Sequence, residues 1–263
     1  MKLFDRVIEL TVGQTHIAGL DIAFEIEKDE SLAPNPCHIE IYNLSSANRA
    51  ILSKYTQVPV VLKAGYSESV GLIFKGDMLR CIHFKESTSW KTVLASGDGA
   101  MAIQTQRIDK SYSKGTPIKD IVEDLAQRIG LPNASPLTHL KELNELSSRS
   151  FIVSGNPMAE LSRLLSNRNF QTSVQNGTLQ IRKNGEPLQK EAIVLNADSG
   201  LIESPEIGSK EEIRVRALLM PELLPGLKVK IESTVFNGFA TIKSLHFIGS
   251  SFGSSWETEL ICV

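Results

Sequence analysis

The chain has little of what usually betrays chemistry or membrane contact. It has three cysteines in 263 residues, an odd number, and Cys37, Cys81 and Cys262 all fall in stretches of alternating apolar and polar residues. Small buried hydrophobes occupy such places, so no disulfide framework is expected. No apolar run is as long as a secretory or membrane-spanning segment, and Met1-Lys2-Leu3-Phe4-Asp5 meets charge at once. The expectation is synthesis and residence in the cytoplasm without membrane insertion. The sequons at Asn43, Asn133 and Asn176 then read as turn chemistry. A formal charge of −2 leaves no global electrostatic footprint for gripping DNA or anionic lipid. Aromatic residues are 6% of the chain, too few to line up the exposed rings of a glycan-binding module.

What is present is strand pattern. Ile8, Leu10 and Val12 alternate before a turn at Gly13-Gln14, and Leu20, Ile22, Phe24 and Ile26 alternate with Asp21, Ala23, Glu25 and Glu27. Cys37, Ile39 and Ile41 do the same, followed by Ser45 as N-cap of a short helix from Ala47 to Leu52. Val58, Val60, Leu62 and Ala64 share a face, and Leu72 and Phe74 lead to a turn expected at Gly76-Asp77. Two further strands, 79–85 and 90–95, flank a polar turn at 86–89. So many short strands indicate an antiparallel barrel or sandwich over residues 1–110.

The period then changes. Thr116 and Pro117 are the expected cap and first position of a helix with the stripe Ile118, Ile121, Val122, Leu125 and Ile129, stopped by Gly130. Residues 137–146 read as a loop with a helical turn. Residues 151–153 form a strand, Asn156-Pro157 opens a helix carrying Met158, Leu161, Leu164 and Leu165, and a hairpin over 170–181 turns at Asn176-Gly177. Residues 111–188 are therefore expected as an α+β insertion. Beyond the linker-like 183–187, alternation resumes around Ile213, Val215 and Ala217, around Leu227, Val229 and Ile231, and around Trp256, Thr258, Leu260 and Cys262. The segment 189–263 is expected as a second β-barrel-like unit. The fold class is mainly β with an α+β insertion.

Candidate chemistry dissolves on inspection. Ser111-Tyr112-Ser113-Lys114 has the Ser-x-x-Lys spacing of penicillin-recognising enzymes, but Gly115 and Pro117 end the helix that would place the lysine one turn after the serine. Cys37, His38, Cys81 and His83 could be sketched as a metal site, without the short ligand spacings such sites use. Gly97-Asp98-Gly99 reads as a turn, lacking the lysine or serial acids of a phosphate or metal loop. His16, His139 and His246 have no partner at a catalytic spacing, and Glu203 and Glu206 flank Pro205 as solvated carboxylates. No catalytic residue, cofactor or metal is expected. Tyr66, Trp90 and Trp256, large aromatics at strand edges, are candidate interface residues.

A series of motifs carries a resemblance. Asn35-Pro36, then Ile39-Glu40-Ile41-Tyr42-Asn43-Leu44-Ser45, Arg49, Ala64-Gly65-Tyr66 and Ile73-Phe74-Lys75-Gly76-Asp77, resembles the first domain of baseplate hub proteins from contractile phage tails. The likeness returns in Arg216 to Pro221, Leu224-Pro225-Gly226, Asn237-Gly238 and Ser255 to Leu260. It implies two tail-tube-like β units per copy and a homotrimeric ring whose pseudo-six-fold rim joins a six-fold tail tube, or tube initiator, to a three-fold central spike. Other baseplate proteins would surround it, and DNA would pass through the lumen without specific binding. The implied location is the virion tail, with assembly in the host cytoplasm. Because the sequence stops at Val263, the spike is expected as a separate protein. Two other readings stand beside this one. They are a peptidoglycan hydrolase working from 111–188, which would need paired acids or a metal motif, and a module that binds cell-wall glycan or a receptor.

Overall fold

Period-two alternation over the first hundred residues makes each segment apolar on one face, which can be buried only by neighbouring strands. A computed structural model describes residues 5–133, 141–208 and 212–263, the side chains of 141 and 142 excepted. Its first region runs β1 (Arg6–Val12), β2 (Thr15–Ile17), β3 (Ile22–Asp29), β4 (Pro36–Tyr42), α1 (Ser46–Leu52), β5 (Pro59–Tyr66), β6 (Gly71–Glu86) and β7 (Ser89–Gly97). Ser45 caps α1 as its pattern predicts, accepting from the Asn48 N–H. No turn interrupts β6 at Gly76-Asp77. Glycine is needed at 76 for close approach instead, since a Cβ there would lie 2.5 Å from the Gly97 carbonyl oxygen and 2.7 Å from the Phe74 ring.

The middle region holds α2 (Ala100–Thr105), β8 (Ile108–Tyr112), α3 (Ile118–Ile129), a 3-10 turn at Lys141–Asn144, β9 (Phe151–Gly155), α4 (Pro157–Ser166), β10 (Phe170–Gln175) and β11 (Thr178–Lys183). The apolar stripe of α3 is buried against α4, and Gly130 ends the helix in the left-handed conformation. Thr116 does not cap α3. Its hydroxyl donates to the Ser113 carbonyl, and Pro117 enters the helix without a side-chain cap. Asn156 does cap α4, accepting from Met158 and Ala159 N–H. The loop over 137–146 lies partly outside the described residues.

The last region runs β12 (Ala192–Leu195), β13 (Glu206–Ile207), β14 (Ile213–Leu218), β15 (Lys228–Glu232), β16 (Asn237–Ser250) and β17 (Trp256–Cys262). One 13-stranded sheet takes in both β regions, in the order β13-β14-β17-β16-β3-β4-β7-β6-β5-β1-β2, with β12 and β15 branching from β16. All its pairings are antiparallel except β12 with β15. The seam between the two regions is β3 against β16, from Ala23↔Ser250 to Asp29↔Ser244. Gly249 sits opposite Phe24 there, and a Cβ at 249 would fall 2.3 Å from the Phe24 ring. Buried side chains from both β regions form a single cluster, while those of 112–181 form a second.

Candidate functional site: exposed rings and a buried polar junction

Ser111 lies on β8 and Lys114 in the turn after it, so strand geometry separates the pair that a helix would have aligned. Cys81 Sγ lies 3.6 Å from His83 Nε2, and His83 Nδ1 lies 2.8 Å from Thr92 Oγ1. Cys37 and His38 do not join them as a ligand group. Burial pushes the Cys81 thiol up to about 11 and holds the Cys37 thiol above its ordinary value, which disfavours the reactive thiolate at both. Glu203 pairs with Arg216 at 2.9 Å, and Glu206 sits on exposed β13. His16 is exposed and faces Thr11, while His139 lies outside the described residues.

His246 differs from its expectation. The seam puts it 3.0 Å from Glu25, without hydrogen-bond alignment, and 3.8 Å from Glu259, while ligand atoms of His246, Glu25 and Glu27 lie within 4.8 Å of one another. These carboxylates are exposed on the sheet's outer face, where solvated acids beside a histidine are ordinary.

Two of the three aromatic candidates are inside. Trp256 packs edge-on against Phe24, with centroids 5.9 Å apart, and against Tyr66 at 6.3 Å. Arg6 lies over the Trp256 ring and donates to the Gly253 carbonyl at 2.6 Å, tying the first strand to the last. Trp90 alone presents its ring, 40% exposed, with the Arg49 guanidinium stacked 4.0 Å above it.

Strand and helix periodicity carry no sign of the junction between the α+β region and the sheet. The turn Asn176-Gly177 of the β10–β11 hairpin sits on Asp98, whose carboxylate accepts from Asn176 N–H at 2.5 Å and Gly177 N–H at 2.7 Å. Lys28 donates to Asn176 Oδ1, Asn35 donates to the Val174 carbonyl at 2.9 Å, and Gln175 donates to the Asp29 carbonyl at 2.6 Å. Arg182 makes a two-pronged pair with Glu30, both nearly buried. Burial pushes the Lys28 ammonium down to about 8 against the pull of Asp98, and the same burial holds the Asp98 carboxyl above its usual range against Lys28 and the two N–H groups. This arrangement fixes the orientation of one unit on another.

A mostly antiparallel β body thus carries a small α+β unit, and buried charges hold the two together. The model of the baseplate hub gp41 family matches residues 6–247, and the chain belongs to that family. The 43 kDa tail protein of prophage MuSo2 from Shewanella oneidensis shares its fold with a TM-score of 0.69 at 10% identity, over 98% of this chain and 97% of that one. A tail protein from Neisseria meningitidis aligns at 0.66 and 11% identity, over 98% and 96%. An E. coli type VI secretion component, described as structurally similar to the T4 tail proteins gp27 and gp5, aligns at 0.59 and 11% identity, over 97% and 76%. No curated protein matches the sequence.

Proposed function

We propose that this baseplate protein is the ring that adapts a three-fold central spike to a six-fold tail tube. Three copies, each contributing two β halves, would present six similar units on one rim and three-fold symmetry on the other, so neither partner has to change its own symmetry. The observation that carries this reading is the β3–β16 seam, which fuses two β regions of one chain edge to edge into one sheet with a shared core. The proposed partners are two further copies, a central spike protein, the tube protein or its initiator, and neighbouring baseplate proteins, with DNA passing unbound. Trp90, with Arg49 stacked on it, is the proposed aromatic anchor among the three candidates; Tyr66 and Trp256 serve the core. We propose no catalysis, because strand geometry separates Ser111 from Lys114, burial disfavours the Cys81 thiolate beside His83, and the carboxylates around His246 are exposed to solvent. Light scattering on the chain co-expressed with its spike should give three copies per complex, and a single copy at micromolar concentration would overturn the ring.

A further inference from the structure

Within the large sheet, eight strands follow one another in the order β13-β14-β17-β16-β3-β4-β7-β6, every neighbour antiparallel. An even number of alternating strands leaves the two end strands running in opposite directions. Both ends are open. At one end β5 pairs with β6 only as far as Asp77, and the Met78 N–H still reaches the Val58 carbonyl. Beyond that, among the described residues, the backbone of 79–86 bonds only to β7. At the other end, the segment 202–207 bonds inward to β14 and has no described backbone partner on its outer side.

The side chains at these edges are complementary. The β6 edge exposes Leu79, Ile82 and Phe84 beside the exposed cations Arg80 and Lys85. The 202–207 edge exposes Ile202 and Ile207 beside Glu206 and Glu203, the latter also paired with Arg216. Open strand edges flanked by exposed apolar residues are an aggregation hazard that folded proteins normally cover.

We propose that copies of this chain join head to tail, the β6 edge (79–86) of one pairing with the 202–207 edge of the next. This rests on the trimeric ring proposed above and assigns its contact surface. In a ring whose axis runs along the strands, rotation preserves strand direction, so β6 of one copy meets β13 of its neighbour antiparallel. The sheet then continues from copy to copy, short of the ladder bond that Pro205, lacking an N–H, cannot donate. A contact between two unlike patches is the kind that closes a ring. Apolar side chains meet apolar ones, and Arg80 and Lys85 face Glu203 and Glu206.

Two measurements test this on the full chain with its spike. Zero-length carbodiimide cross-linking of wild-type protein, mixed from light and nitrogen-15 copies, should join Lys85 to Glu203 or Glu206 between copies. Arg80→Glu with Lys85→Glu should raise the midpoint concentration for trimer formation at least about tenfold. Glu206→Lys should act in the same direction, and all three changes in one chain should recover at least part of the loss, because each reversed patch then meets a reversed partner. If a reversed variant fails to fold, the wild-type cross-links decide. A wild type that is not trimeric overturns the ring reading and this surface together. A trimeric wild type that lacks between-copy links at these residues, or is indifferent to the reversals, overturns the surface and leaves the ring standing.

Discussion

Lys28 occupies a place that the strand pattern reserves for an apolar side chain. Ile22, Phe24, Ile26 and Lys28 are all buried on one face of β3, and Glu30 follows on the same side. An ammonium so enclosed is sustained by Asp98 and Asn176, and removing one partner of a buried pair commonly costs about 3–5 kcal/mol. Its pH dependence has a definite sign. Because burial lowers the folded value to about 8 while an unfolded lysine titrates near 10.5, native protein in that window has released a proton that the unfolded chain still holds. Stability therefore rises with pH from about 8 to about 10.5, and the penalty is fully present below about 8. Urea midpoints taken at about pH 7.5 and about pH 9.5 should increase in wild type relative to Lys28→Met. Equal slopes in the two proteins would show that Lys28 does not titrate in the junction.

At the scale of elements, the α+β unit has a core separate from that of the sheet and meets it through polar contacts. Deleting 111–188 and bridging the gap with a short linker should leave trimer formation intact. Lys28, Glu30 and Asp98 would regain water as they lose their partners, and the apolar loss covers Leu188, which packs on the body, and the partners of Ala102, Ile103 and Ile108. Recovery of only insoluble chain would show that the unit is integral. Elements with a clean period were legible in the sequence: β1, β3, β4, the stripe of α3 and the Asn176-Gly177 hairpin. The strand β16 was not, because the irregularity between Ile242 and Ser244 moves its buried residues from Ala240 and Ile242 to Leu245 and Phe247 and breaks the alternation. The polar junction was hidden for a different reason. Lys28 and Asp98 are joined by a hairpin turn far along the chain, and in sequence each reads as an ordinary surface charge.

At the scale of the molecule, an adaptor should hold its partners by buried area. Permanent interfaces commonly bury about 2,000 Å² or more, and salt screens rim charges while leaving apolar burial in place. Co-purification with the spike should therefore survive a high-salt wash, and the purified chain should leave peptidoglycan intact. Hydrolysis abolished by one point substitution, with no spike retained, would return the enzyme reading to first place.

The β3–β16 seam also sets when the molecule can be finished. Residues 22–29 leave the ribosome long before their partners at 244–250 are made. The intervening stretch of roughly two hundred residues takes on the order of ten to forty seconds to translate. Throughout that interval one edge of β3 waits without its strand, so the first β region can gather its apolar face but cannot close its sheet until 244–250 have emerged. Closure of the sheet is thereby tied to synthesis of β16, and a message interrupted before it leaves a product with an unpaired edge in place of a working subunit.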